Sequence, residues 1–311
     1  MVAWSEEVDE IIGGDHVVML VYATPASGTV LLPLNNFGGR DREAGTIRAL
    51  NTSVGAWRKL ERIRHNPKVA IAYHTRAHSE TSCPEYVLVQ GRANLSDPVP
   101  DYPATLGERW DRFEPWTSTP TIWKRWQRIY ALRVQIDIEV ERIFVWPDLN
   151  CLGDPTVHGT PFSCSPPASQ RKPAKGEGPR LNAERAAAKA ARLPHSLLGW
   201  VGPDGYPIAV PVEVVAGGPA GISLRAAPGS VPPGERRAGL TSHWFAARAT
   251  GQHQRKYTGW LTVSGDGDRL LYAPHTQSTH RFPASRTLYR LVSGAAGRLG
   301  VRGARQAGFL H

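Results

Sequence analysis

The chain has 311 residues, 41% of them apolar, with a formal charge of +10; it is long enough for two domains and too rich in Val, Ile, Leu and Trp to be disordered. No run approaches the 18 apolar residues of a membrane span, and the acidic stretch Met1 to Gly14 lacks the basic region of a signal peptide, so neither a membrane partner nor export is expected. Three scattered cysteines, Cys83, Cys151 and Cys164, fit a reducing, cytoplasmic setting. The positive charge is local: seven Lys/Arg against two Glu between Ser163 and Arg192, and six Arg without an acid between Arg281 and His311. These stretches read as a solvated linker and tail, and neither carries a nucleic-acid recognition motif, so nucleic acid is not an expected partner.

In chain order, Ser5 caps a short helix through Ile12, with Val8, Ile11 and Ile12 on one face. His16 to Tyr22 and Thr29 to Leu34 flank the turn Thr24 to Gly28 and predict a β-hairpin. Thr46 to Leu50 reads as a third strand, Val54 to His65 as a basic helix ended by Asn66-Pro67, and Val69 to His74 and Tyr86 to Asn94 as strands. Tyr102 to Arg128, with Trp110, Trp116, Trp123 and Trp126, is a helical or looped cover. Arg133 to Trp146 alternates cleanly as a half-buried strand. These elements place a first domain at residues 1–153, a Pro/Lys-rich linker at 154–180 and a second domain at 181–311, where Asn182 caps a helix and strands resume at His195.

The two halves read as copies. His16, Pro25, Gly28 and Pro33 match His195, Pro203, Gly205 and Pro211, and Tyr86-x-x-Val-x-Gly91 matches Trp260-x-x-Val-x-Gly265. Arg58-Lys59 falls at the same offset as Arg236-Arg237, which raises a second, doubtful phosphate site with Ser230.

The stretch Ile47 to Lys59 carries the most specific chemistry. A strand ends in Asn51, Thr52 and Ser53, and the next helix presents Arg58 and Lys59; hydroxyls, backbone N–H groups and two cations suit a phosphate dianion. His74-x-x-x-His78 leaves a strand for a loop, so no metal is expected there. His253, His275 and His280 are the histidines that a haem would need. No paired carboxylates or nucleophile triad marks an acid–base site, so the catalytic residue stays unknown; Tyr86 or His74 is a candidate donor to substrate.

The order strand, Thr/Ser, Arg58-Lys59, helix to Asn66-Pro67, strand and Tyr86-x-x-Val-x-Gly91 resembles the pyridoxamine 5'-phosphate oxidase-like split-barrel family, which includes deazaflavin-dependent reductases and some haem-handling proteins. The resemblance implies a mainly β (α+β) fold, two tandem split β-barrels of the FMN-binding type packed as an intrachain pseudo-dimer. It implies FMN as cofactor, with the deazaflavin coenzyme or haem as alternatives. Asn51, Thr52, Ser53, Arg58 and Lys59 would face the phosphate, and Leu32, Pro33 and Leu34 would lie along the ring. The Arg-x-His that binds substrate in the oxidases is missing from Arg298 to Arg305, so a different small-molecule substrate is expected. The implied activity is that of an oxidoreductase; the alternative is a flavin- or haem-binding module without turnover. Two such chains could also pair.

Overall fold

The computed structural model describes residues 2–162, 167, 170–265, 267 and 269–310, so Cys164 lies outside the described residues. Helix α1 (Glu6–Gly14) opens the chain, with the Ser5 hydroxyl accepting from Val8 N–H at 3.3 Å. A first sheet follows, made of β1 (Val17–Ala23), β2 (Thr29–Asn35), β3 (Arg40–Asp41), β4 (Thr46–Ser53), β5 (Lys68–Tyr73), β6 (Tyr86–Leu95), β7 (Arg133–Trp146) and β8 (Thr156–Gly159). A 3-10 turn (Val54–Ala56) and α2 (Trp57–His65) connect β4 to β5. The Trp-rich insert between β6 and β7 folds as α3 (Tyr102–Leu106), α4 (Glu108–Asp111), α5 (Thr121–Trp126) and α6 (Arg128–Ala131). Helix α7 (Ala183–Ala190) leads into β9 (His195–Val201), β10 (Pro207–Pro211), β11 (Glu213–Gly218), β12 (Gly221–Arg225), β13 (Gly234–Phe245), β14 (Gln252–Val263) and β15 (Leu270–Phe282). Helix α8 (Arg286–Gln306) closes the chain.

Strand order is β2-β1-β5-β6-β7-β4-β3 in one sheet and β10-β9-β13-β14-β15-β12-β11 in the other. Each strand of the first except β8, which lies off this path beside β7, has its counterpart at the same place in the second, so the halves are repeats of one barrel. The anchors of the repeat differ in part from the expected ones. Pro33 lies opposite Met19 and Pro211 opposite Leu197, one register position in two copies. The counterpart of Gly91, however, is Gly259 and not Gly265: both sit at a β-bulge in the strand pair beside them. A Cβ at Gly91 would lie 2.2 Å from Glu139 O, and one at Gly259 would lie 2.1 Å from Ala273 O, so each bulge admits only glycine. Arg236 and Arg237 lie on β13, the counterpart of β5, and β12 runs to β13 without an equivalent of α2, so this pair is no copy of Arg58 and Lys59.

Every residue of β1 is buried, which explains its unbroken apolar run. Val18, Leu20 and Tyr22 fill the first barrel with Ile71, Val87, Val89 and Ile138. The alternate residues, Met19 and Val21, join Ala70, Ala72, Tyr86 and Leu88 against Leu197, Leu198, Trp200 and Leu240 of the second barrel. Polar contacts lock this seam. Tyr86 Oη donates to Ala209 O at 2.6 Å, Gln90 Nε2 to Pro207 O at 2.8 Å, and Thr29 Oγ1 to Gly199 O at 2.6 Å. The barrels are therefore partners within one chain.

Two segments depart from expectation. Thr156–Gly159, inside the stretch read as linker, pairs with β7. The Arg/Gly-rich tail is not solvated coil: α8 spans 21 residues and packs on the 3-10 turn, α6 and α2 of the first barrel. Gly294, Gly297, Gly300 and Gly303 form its contact face. A helical glycine costs about 1 kcal/mol relative to alanine, so tertiary contact holds this helix together. A Cβ at Gly300 would lie 2.2 Å from Gly55 O, and one at Gly303 would lie 2.2 Å from Trp57 Nε1. Gly300→Val is expected to destabilise the protein by about 1–3 kcal/mol, the usual cost of overpacking, and to expose residues 286–306 to protease; denaturant titration and limited proteolysis read both effects.

Candidate functional site

A cavity of about 620 Å³ lies where the two barrels, the Trp-rich insert and α8 meet. Its volume falls within the range of small-molecule and cofactor pockets. All eight residues expected at a cofactor line it: Leu32, Pro33 and Leu34 from β2, Asn51, Thr52 and Ser53 from the end of β4, and Arg58 and Lys59 from α2. The hairpin puts the first three on the strand covered by the second barrel. The β4–α2 corner delivers the other five.

Their roles are unequal. Adjacent residues on a helix point about 100° apart, and accordingly Arg58 is exposed with its guanidinium 5.4 Å from the Trp57 ring, whereas Lys59 is buried. The Ser53 hydroxyl is engaged in structure, donating to Ile129 O at 3.0 Å and accepting from Gly55 N–H at 3.4 Å. Asn51 Oδ1 accepts from Arg133 Nε at 2.5 Å. Thr52 is buried beside them.

Several lining residues were not expected from sequence. Arg133, the first residue of β7, stacks its guanidinium 4.8 Å from the Tyr130 ring and 5.1 Å from that of Trp110. From the second barrel, Gln252, Gln254 and Lys256 alternate on β14, beside His280 of β15, the one of these four that the sequence singles out. The polar run at Gln252, Gln254 and Lys256, on one face of a strand that is otherwise largely buried, is the signal that could have found them. Aromatic side chains complete the wall: Phe37 stacks on Trp110 with centroids 5.3 Å apart, and Tyr130 and Tyr289 share a 2.7 Å hydroxyl contact.

Among the described residues, no carboxylate lines the cavity, and neither Lys59 nor Lys256 forms an ion pair. Burial holds the Lys59 ammonium well below its ordinary range, and the charges of Arg133 and Lys256 lower it further. Burial lowers Lys256 to about 8. His280 is lowered to about 4, by burial first and then by Lys256 and Lys59. Asn35 Oδ1, on the β2 wall, is buried without a hydrogen-bond partner. Two cations without a counter-charge, Lys59 buried and Lys256 half-buried, and an orphaned acceptor fit a ligand that brings negative charge and at least one donor.

Other expectations are corrected. Neither Tyr86 nor His74 reaches the cavity: Tyr86 donates to Ala209 O, and His74 Nε2 lies 2.7 Å from His243 Nε2 in the seam between the barrels. Of His253, His275 and His280, only His280 lines the cavity. Arg236 is buried with a hydrogen bond to Pro233 O, Arg237 packs over Trp260, and Ser230 donates to Ala227 O at 2.7 Å; the three do not form a second phosphate cradle. Among the described residues no group of three His, Cys, Asp or Glu side chains could hold a metal ion, and no helix is long and apolar enough to cross a membrane.

No protein-family model and no curated protein matches the sequence. Solved structures do. A protein from Clostridium acetobutylicum related to general stress protein 26, of the pyridoxinephosphate oxidase family, is 13% identical, with 49% of this chain and 90% of that chain covered and a TM-score of 0.33. A conserved hypothetical protein from Mycobacterium tuberculosis is 20% identical, with 50% and 91% covered and a TM-score of 0.35. A heme-binding protein from Mycobacterium smegmatis is 12% identical over 98% of this chain and 99% of that one, with a TM-score of 0.31. An F420 reductase and an FMN-binding protein related to pyridoxamine 5'-phosphate oxidase are also similar in structure. The strand order repeated in the two sheets decides the architecture. The chain is a tandem of two split β-barrels. Its cavity lies between the repeats, so both walls come from one chain.

Proposed function

We propose that the cavity binds the phosphate of a flavin-type cofactor, FMN or the deazaflavin coenzyme, and that the protein is an oxidoreductase acting on a small conjugated or aromatic acceptor. The observation that supports this most is a pair of lysines without a counter-charge, Lys59 buried and Lys256 half-buried, set in a cavity with aromatic walls. Lys59, with Thr52 and the rim residue Arg58, would hold the phosphate; Leu32, Pro33 and Leu34 would lie along the ring, and Asn35 Oδ1 would accept from a ring N–H. Once bound, such a cofactor supplies hydride transfer. The chain supplies position, charge and exclusion of water by Trp110, Phe113, Phe245 and Phe282. A homodimer is not needed to complete this site, because β14 and β15 provide the wall that a partner would.

His280 inside the cavity supports a second reading, a haem- or flavin-holding module without turnover. Titration of the purified protein with FMN, the deazaflavin coenzyme and haem, followed by visible absorption, separates the readings. The proposal expects a tightly held flavin or deazaflavin band that a nicotinamide donor or an added acceptor reduces or reoxidises. A band without turnover favours the module, and failure of all three ligands to bind contradicts both. Replacing Lys59 by Gln removes one charged hydrogen bond, worth about 1.5–3 kcal/mol, so FMN affinity is expected to fall by roughly ten- to a hundredfold.

A further inference from the structure

We infer that Lys256, contributed by the second barrel, is the charge-reading residue of this cavity: it holds an anionic group of the ligand and so selects an anionic ligand over a neutral one. The inference rests on the reading of the cavity as an anion site and deepens it. It assigns the diverged repeat a task that sequence similarity to the first repeat would not reveal.

Lys256 points inward because Gln252, Gln254 and Lys256 share one face of β14. An ammonium has three donors. The contact found for this one is Gln254 Oε1 at 3.5 Å, at the limit of a hydrogen bond, and Gln254 Nε2 in turn reaches Pro33 O at 3.4 Å. Lys256 is thus tethered to the β2 wall, with donor capacity left for a ligand.

The groups around Lys256 all oppose its charge or leave it unanswered. Lys59 on α2 and Arg133 on β7 face it from the first barrel, and His280 faces it from β15 beside it. The other titratable groups on the lining are Arg58, at the rim, and Tyr22, Tyr130 and Tyr289, none of them a source of negative charge at neutral pH. Desolvation of an ammonium costs several kcal/mol unless something pairs with it. Burial in the cavity lowers Lys256 to about 8, part of it deprotonated in mildly alkaline solution. A dianion beside it restores the ordinary lysine range, and the nitrogen takes a proton from solvent. A neutral ligand offers no such return and leaves the cluster of like charges intact.

Lys256→Met tests the assignment. Methionine keeps the apolar stem and removes the half-buried charge together with its 3.5 Å contact to Gln254 Oε1, so the ligand-free variant is expected to unfold at a higher denaturant concentration than the parent. A residue retained for binding at the expense of stability shows this signature. Calorimetric titration with FMN at pH 9, in buffers of different ionisation enthalpy, counts protons taken up. The parent is expected to take up about one proton more than Lys256→Met, and the variant to bind FMN at least tenfold more weakly. In the parent, riboflavin, which lacks the phosphate, binds at least tenfold more weakly than FMN; the variant narrows that gap. Equal proton uptake and equal FMN affinity in parent and variant would overturn the role of Lys256 while leaving the cavity reading in place. Failure of the parent to bind either FMN or inorganic pyrophosphate would overturn the anion site and the inference with it.

Discussion

Arg142→Met is expected to lower the stability of the protein by about 3 kcal/mol, the lower end of the range for breaking a buried charged network. Arg142 sits on β7 with its side chain 3% exposed, and it spans the seam between the barrels. Its Nε and Nη2 donate to Gln90 Oε1, the former at 2.9 Å; Nη1 donates to Pro161 O at 3.0 Å; and Nη2 pairs with Asp204 Oδ2 at 2.5 Å. The guanidinium also lies over Phe144, Phe162 and Tyr206. Methionine keeps much of the packing but leaves Gln90 Oε1 buried without its donor. Asp204 retains 30% exposure and regains water, which keeps the loss from being larger. The midpoint of guanidinium unfolding measures the change; a shift corresponding to less than about 1 kcal/mol, the worth of an exposed pair, would mean the seam does not depend on this network.

Acid is expected to open the same seam. His74 Nδ1 donates to Ala72 O at 3.1 Å, since a carbonyl can only accept. His74 Nε2 must then accept from His243 Nε2–H at 2.7 Å, and His243 Nδ1 is left buried without a partner. Neither ring has room for a second proton. Burial, the largest cause, lowers His74 to about 3 and holds His243 well below its ordinary value. The unfolded chain takes up these protons near 6.5 and the folded chain does not. Stability is therefore complete above pH 6.5 and declines as pH falls toward 3. His74 alone accounts for about 3 kcal/mol of that loss by pH 4, at 1.36 kcal/mol per pH unit. Asp15, buried and raised to about 7, works in the opposite sense, adding stability in acid and losing it as pH rises through 7. Denaturant midpoints between pH 4 and 8 for the parent and His74→Gln isolate the histidine: the variant should show a slope shallower by up to one proton. Identical slopes would contradict the linkage.

The first barrel was legible because its signals are local. The alternation of Arg133 to Trp146 gave a strand with the observed bounds, and Asn66-Pro67 ended α2 where expected. The cavity-lining residues of this barrel were legible for the same reason, being clustered on one hairpin strand and one strand–helix corner. Three features were not. Helix α8 carries four glycines that lower its own propensity, and its stability comes from backbone contact with Gly55 and indole contact with Trp57, both far away in sequence. Lys256, with Gln252 and Gln254, joins the cavity only because the two repeats face each other, a relation that no spacing within either repeat encodes. The interval from Pro25 to Pro33 identifies the repeat, but the aromatic-x-x-Val-x-Gly pattern points to Gly265, six residues beyond Gly259, which holds the bulge.

The most direct test of the cofactor site is equilibrium dialysis of the full chain against FMN and riboflavin, with the Arg58→Ala/Lys59→Ala double variant alongside. The parent is expected to retain FMN far better than riboflavin, and the double variant to lose this preference. Equal retention of the two compounds by the parent, or an undiminished preference in the double variant, would contradict a phosphate site at the β4–α2 corner.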